Sequence, residues 1–360
     1  MLVLVAATAA RSASGDGGDL LLVGSTATAL APETFTLTPE RRRLTVDLTK
    51  ANVSAEHVLA MDKRATDRLP EMKHDAETVR ACDVSPFANA PGVAPISGAP
   101  SFHATSDTEM CVCPAARLAF IHIFKCAGTT LIASMHDLCR ATYGDEGFCV
   151  QELQESSSPW FCRGGPTRTM EEEWANIQSY TWFTFVREPV SKFESGIFEL
   201  ARRNDPCVLG AGATSEGDQL ALDVLDSCVL STERREEVNP HLRPSINFLL
   251  EPDGSVTPLL AYVGRVVTFV DDWPALVTKF FDATKGAQVR ELILNDQLHE
   301  HDSEGEIYSS DCPPKFNLKI ASESAKAKVA QAFRADEVCL GYADQAPARR
   351  SRWESLPSAL

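Results

Sequence analysis

The chain has 360 residues, 44% apolar and 23% charged, the make-up of a folded globular protein with room for one large domain or a domain with appendages. Its 34 basic side chains are outnumbered by 50 acidic ones, for a formal charge of −16. That balance argues against non-specific nucleic-acid binding, which draws on clustered Lys and Arg, and requires any anionic ligand to be held by a local basic site against the overall field.

At the N-terminus, Leu2 to Ala10 is a short apolar run followed by small residues and Arg11. It resembles the apolar region and cleavage site of a signal peptide without the basic segment that normally precedes them. No run approaches the roughly 18–20 apolar residues of a membrane span, so a membrane anchor is expected only outside this sequence. Asn52-Val53-Ser54 is a glycosylation sequon. Residues 1–105 are rich in Ala, Thr, Pro and Gly, including Pro91-Gly92 and the stretch from Pro95 to Pro100. They read as an irregular N-terminal extension or stem. A strand is expected within Thr34–Asp47, and helix-forming composition over Ser54–Ala81 is expected to break at Pro70.

Eleven cysteines are too sparse for a small disulfide scaffold, no CxxC pair occurs, and Cys111-Val112-Cys113 is no zinc signature. The set reads as disulfides of the secretory pathway with at least one thiol left over, since the count is odd. Buried reduced cysteines in a cytosolic protein are the alternative.

From about residue 115 the pattern turns α/β. Leu118–Ile123 is an apolar strand run, and Thr130–Leu138 places Leu131, Met135 and Leu138 at helical spacing. Trp182–Val186 is a second buried strand, leading through Arg187-Glu188-Pro189 into a helix over Val190–Arg202. A third strand lies within Tyr262–Val270. Asp271-Asp272-Trp273-Pro274 then opens a helix with acidic residues in its first turn, and Ser322–Ala335 reads as a C-terminal helix. Alternating strands and helices imply a central parallel sheet with helices on both faces, a three-layer α/β sandwich over residues 106–345, with 346–360 as a tail.

Phe120-Ile-His-Ile-Phe-Lys-Cys-Ala-Gly-Thr-Thr-Leu131 carries the most information. A strand ends, Lys125 stands at the turn, Gly128 allows a close backbone approach, and Thr129-Thr130 start a helix. Helix N-termini offer free N–H groups and partial positive charge to phosphate. The Lys precedes the Gly, the reverse of the ATPase loop. In Phe183-Thr-Phe-Val-Arg-Glu-Pro-Val-Ser-Lys-Phe-Glu-Ser195, Arg187 ends a strand and supplies a planar fork that matches phosphate oxygens. Pro189 suits the first turn of the next helix. Two such strand–loop–helix units can hold opposite ends of one nucleotide at the carboxyl ends of parallel strands. A salt bridge of Arg187 to Glu188 or a helix carboxylate is the structural alternative.

The first segment resembles the 5′-phosphosulfate loop of sulfotransferases, whose carbohydrate-modifying branch typically reads HIPKTAGTT. Here Phe124 replaces Pro and Cys126 replaces Thr. The second segment resembles the family's 3′-phosphate motif, FVRDPxxRxxS. Asn239-Pro-His-Leu-Arg-Pro244 and Ala261-Tyr-Val-Gly-Arg265 with Asp271-Asp272 are similar to later segments of the Golgi carbohydrate sulfotransferases that include the heparan sulfate and the HNK-1 and chondroitin enzymes. Phe316–Tyr342 resembles their ending, and Val267 stands near a position that usually carries Glu. The resemblance covers roughly residues 117–345.

The resemblance implies a P-loop-like fold in the Golgi lumen. It implies 3′-phosphoadenosine 5′-phosphosulfate as co-substrate, a glycan acceptor on a glycosaminoglycan or glycoprotein, and no metal. Lys125 would contact the phosphosulfate and act in catalysis. Ala127, Gly128, Thr129 and Thr130 would hold the 5′-phosphate, and Arg187 and Ser195 the 3′-phosphate. A general base is, in several relatives, a His between the two motifs; here residues 137–180 contain no His. Glu171, Glu172, Glu173 and His241 are substitutes, while His122 reads as packed within a strand. An inactive nucleotide- or glycan-binding pseudoenzyme is the alternative, and a P-loop kinase or other NTPase with Asp271-Asp272 as its acidic residue is a third reading.

Overall fold

A computed structural model describes residue 48 and residues 51–87, 109–144, 149–151, 160–162, 176–231, 238–251, 253–295 and 314–342. The apolar run at 2–10, the strand expected within 34–47, the Pro-rich stretch at 91–100, the acidic residues 171–173 and the tail 346–360 lie outside the described residues.

In chain order, helix α1 (Ala55–Arg80) precedes strands β1 (Glu109–Cys113) and β2 (Leu118–His122) and helix α2 (Gly128–Tyr143). Strands β3 (Cys149–Gln151), β4 (Trp160–Cys162) and β5 (Thr181–Val186) lead to helices α3 (Pro189–Arg202), α4 (Pro206–Gly212) and α5 (Gly217–Val224), the last continuing into a π turn, Leu225–Leu230. Strand β6 (Leu260–Arg265), helices α6 (Phe269–Phe280) and α7 (Ala283–Leu294), and the closing pair α8 (Glu323–Ala332) and α9 (Arg334–Cys339) complete the order.

The sheet has six strands in the order β4-β3-β1-β2-β5-β6. It is mixed rather than parallel throughout. Strands β2, β5 and β6 are parallel, whereas β1, β3 and β4 pair antiparallel. Alternation along the parallel strands explains why helices cover both faces. Leu118, Phe120, Phe183 and Phe185 pack with Leu131 and Met135 of α2 and with Phe269 and Trp273 of α6. Ala119, Ile121, Trp182 and Val263 pack on the other face with Ile246, Phe248, Cys339 and Tyr342. A strand buried on both sides reads as an unbroken apolar run, as Leu118–Ile123 does. A third cluster joins α3, α4, α5 and α8 through Phe193, Ile197, Val208, Leu220, Phe316 and Val329.

Helix α1 corrects two expectations. It runs unbroken for 26 residues with Pro70 inside it. Pro70 and Thr66, whose carbonyl loses its usual partner, are both exposed, so the freed carbonyl is accessible to solvent. The buried stripe Met61, Ala65, Met72, Ala76 and Val79 holds the helix in place. Helix α1 is also no appendage, because the compact unit spans Leu44–Leu360. Arg68 of α1 pairs with the fully buried Asp272 and reaches Thr268 at 3.0 Å, and Asp75 meets Arg265 at 2.9 Å. Cys82, just past the helix, is bonded to Cys339.

Helix α6 starts at Phe269, two residues before the acidic pair, and carries Asp271 and Asp272 in its first turn as expected. Asp272 is at the same time fully buried. Its carboxylate accepts from the Arg265 N–H at 2.8 Å and the Thr268 hydroxyl at 2.7 Å. Burial raises its pKa against the opposing pull of Arg68.

Cys113–Cys139 and Cys207–Cys228 are also disulfides. Such bonds persist in oxidising compartments, which places the chain among secreted or lumenal proteins. Among the described residues no helix is long and apolar enough to cross a membrane.

Candidate phosphate-binding site

Strands β2 and β5 are neighbours in parallel register, Leu118 opposite Thr181 and Ile121 opposite Thr184. The segments that follow them therefore leave the same edge of the sheet. The Thr184 hydroxyl donates to the Ile121 carbonyl at 2.8 Å, pinning the two strands just before they diverge.

After β2 the chain turns sharply. Lys125 and Ala127 both adopt positive φ, 65° and 63°. Non-glycine residues held there cost on the order of 1–3 kcal/mol each and cluster at ligand clamps. Ala127 is the N-cap of α2 and supplies no side-chain cap. The first N–H groups of a 16-residue helix are thus open to an anion, with Thr129 exposed and Thr130 half-buried beside them. Gly128 is buried, and a Cβ there would meet His122 Nε2 at 1.8 Å. The space its missing side chain leaves is taken by the His122 ring rather than by an approaching ligand. Cys126 packs below the loop, its thiol pushed up to about 11, chiefly by burial.

Arg187 follows β5 and is half-buried. Its Nη1 donates to the Lys125 carbonyl at 3.5 Å, joining the two loops. The salt bridge to Glu188 does not form. The Glu188 carboxylate instead caps α3 by accepting from the Ser191 N–H at 2.7 Å. Among the described residues Arg187 makes no ion pair, which leaves its charge for a ligand. Ser195 is half-buried in the second turn of α3.

Beneath the loops lies a buried polar framework. Lys192 donates to the Arg243 carbonyl, and Asp336 of α9 accepts from the Ser245 N–H at 2.6 Å and the Ile246 N–H at 2.8 Å. Burial lowers the Lys192 pKa and raises that of Asp336. These bonds fasten residues 243–246 against α3 and α9.

Two features of the site were not legible beforehand. Lys125 points its ammonium at Glu199 of α3, 3.6 Å away. Glu199 also binds Arg202 at 2.6 Å and Arg203 at 2.5 Å. Burial pushes the Glu199 carboxyl up, but Arg202, Lys125 and Arg203 outweigh it and hold it at about 2. Burial likewise lowers the Lys125 pKa, opposed by Glu199 and reinforced by Arg187, Arg203 and Arg202. The second feature is the setting of His241. Its ring stands edge-on to Phe124 at 4.8 Å, and Phe124 also touches His122 at 5.0 Å and Phe248 at 5.8 Å. A glycine inside a helical stretch, Gly196, was the available signal. A Cβ there would lie 2.5 Å from the His241 carbonyl oxygen, so the glycine lets that segment close on α3.

The fold thus brings together Lys125, Ala127, Gly128, Thr129 and Thr130 with Arg187 and with the candidate His241, and adds Glu199 and Arg203. Among the described residues no group of three or more His, Cys, Asp or Glu side chains is placed to hold a metal ion. Comparison with protein-family models, with curated proteins and with solved structures finds no match to this chain.

Proposed function

We propose that this protein is a sulfotransferase that moves the sulfuryl group of 3′-phosphoadenosine 5′-phosphosulfate to a hydroxyl or amine of a carbohydrate. The observation that carries the reading is the 3.5 Å contact between the Arg187 guanidinium and the Lys125 carbonyl. It sets two motifs of the resemblance side by side at the ends of parallel strands, the arrangement expected of a P-loop-like nucleotide site.

On this reading the open N-terminus of α2, with Ala127, Gly128, Thr129 and Thr130, holds the 5′-phosphate. Arg187 and Ser195 hold the 3′-phosphate. The Lys125 ammonium leaves Glu199 for the bridging oxygen and stabilises the charge that develops there as sulfur departs. Positioning and electrostatics supply the catalysis, and the displacement itself calls for no metal. The disulfides suit an oxidising lumen, and the resemblance favours the Golgi.

One observation favours the pseudoenzyme reading instead. Lys125 is already paired with a carboxylate that also binds two arginines, which suits a protein that binds without turnover.

Calorimetric titration with adenosine 3′,5′-bisphosphate, beside ATP without metal, tests the proposal. Selective binding of the bisphosphate that disappears in Arg187→Ala is expected. Absence of binding to the folded protein withdraws the assignment. Binding without transfer to any glycan supports the pseudoenzyme.

A further inference from the structure

The reading above leaves the attacking hydroxyl without a proton acceptor. We infer that His241 is that acceptor, an assignment that rests on the sulfotransferase reading. Its place comes first. The ring lies against Phe124, the residue next to Lys125, and its backbone is drawn onto α3 by Gly196. Phe124 is also where the phosphosulfate loop departs from its usual Pro, so the departure in the loop supports the very residue that replaces the missing base.

The ring's polar atoms come second. His241 is 7% exposed, and its Nδ1 is buried with no hydrogen-bond partner among the described residues. Burying an unsatisfied polar nitrogen costs on the order of 1–3 kcal/mol. An orphan of this kind beside a candidate site calls for a functional explanation.

Charge comes third. Lys125 faces the ring from the loop, Lys192, Glu199 and Arg203 face it from α3, and Arg243 stands two residues along its own segment. Burial, then Arg203 and Lys125, lower its pKa to about 3 against the opposing effect of Glu199. The ring is therefore neutral and has an unpaired nitrogen, the form that can take a proton. The phosphates and sulfate of the donor would bring negative charge among these cations. That raises the ring's proton affinity at the moment the hydroxyl must be deprotonated.

The other candidates among the described residues are engaged, His136 between the two motifs with Asp137 at 2.8 Å. The His122 ring fills the space beside Gly128. Glu199 binds three cations, Glu188 caps α3, and Glu194 accepts from the Ile320 N–H at 2.6 Å.

The step balances. The acceptor oxygen bonds to sulfur as the bond from sulfur to the 5′-phosphate oxygen breaks. The hydroxyl proton passes to the unpaired imidazole nitrogen, and the electron pair leaves on the phosphate of the bisphosphate. The imidazolium then returns its proton to solvent.

Two measurements test the assignment. In the first, the His241 ring is titrated by nitrogen-detected NMR in the free protein and with saturating adenosine 3′,5′-bisphosphate. An upward shift of about one pH unit or more is expected on binding. Binding that leaves the ring's titration unmoved overturns the assignment. The second measurement follows sulfuryl transfer from labelled donor to desulfated heparin and chondroitin between pH 3 and 9, a range that includes the His241 titration expected from its lowered pKa. His241→Gln should keep bisphosphate affinity within about threefold but lose about 10²–10⁴ in rate, together with the acidic limb of the wild-type profile. A variant that keeps both the rate and that limb overturns the proposal. Failure of the wild type to bind the bisphosphate overturns the nucleotide reading itself. Binding without transfer to any acceptor removes the enzyme reading and this assignment with it.

Discussion

Lys125 and Arg187 are both cations of one site, yet they are held differently. Lys125 is folded back onto a carboxylate, whereas Arg187 is anchored only through a backbone carbonyl. Lys125→Ala is expected to lower the transfer rate by about 10²–10³ with little change in bisphosphate affinity, the pattern of a contact made chiefly in the transition state. Arg187→Ala should weaken the bisphosphate by about ten- to a hundredfold, the loss of charge-assisted bonds worth roughly 1.5–3 kcal/mol. Calorimetry paired with single-turnover kinetics separates the two, and an unchanged affinity in Arg187→Ala would falsify its placement. Glu199 supports a further prediction, because it competes with any anion for Lys125, Arg202 and Arg203. Glu199→Gln should tighten the bisphosphate by about tenfold at low salt, the effect of removing one opposing charge near the site. Weaker binding by that variant would mean that Glu199 positions the cations rather than occupying them. The motif residues were readable from the sequence because strand end, glycine and helix start follow one another along the chain. Glu199 and His241 reach the site only across the folded α3, and no local spacing encodes that.

At the level of elements, the alternation of strand and helix was legible because β2, β5 and β6 are each buried on both faces or nearly so and are dominated by apolar residues. The antiparallel half of the sheet was not, since β3 and β4 have three residues each and carry no periodicity to read. Composition also misplaced α1. A Pro on an exposed face looks like a break until the buried stripe beside it is known, and the partners of α1 lie far along the chain. Arg68 meets Asp272, Asp75 meets Arg265, and Cys82 is bonded to Cys339 across 257 residues. A chain cut to begin at residue 106, where composition alone would place the domain, is therefore expected not to fold cooperatively. It leaves Asp272 buried without its arginine, a loss of roughly 3–5 kcal/mol, and removes a long-loop disulfide worth about another 2–5 kcal/mol. Urea unfolding followed by near-ultraviolet circular dichroism would show no sharp transition. A truncated chain that melts as sharply as the parent would restore the boundary at 105.

At the scale of the whole molecule, the three disulfides among the described residues hold six of the chain's eleven cysteines. Thiol titration of the denatured, unreduced protein from an oxidising host should find at most five thiols, and a count of eleven would return the chain to a reducing compartment. Although the chain is acidic overall, Lys125, Arg187, Arg202 and Arg203 gather beside the site. Acid stability reports on that cluster through two groups with separate pH windows. The folded-state pKa of His241 is lowered from 6.5 to about 3, so the unfolded chain takes its proton first as the pH falls. The stability linked to it is complete above about 6.5 and drains away toward 3, with a slope approaching about 1.4 kcal/mol per pH unit for one proton. The folded-state pKa of Glu199 is lowered from 4.5 to about 2, so its contribution holds until the pH drops below about 4.5 and is lost toward 2. Urea midpoints of the wild type and His241→Gln, taken from pH 7 down to pH 4, should therefore converge as the pH falls. The glutamine carries no titrating ring, and its curve should stay flat through the upper window while the wild type declines. Curves that run parallel over that range would show that the His241 ring titrates alike in the folded and unfolded chain. Its burial among Lys125, Lys192 and Arg203 would then lack the energetic consequence on which its neutral state depends.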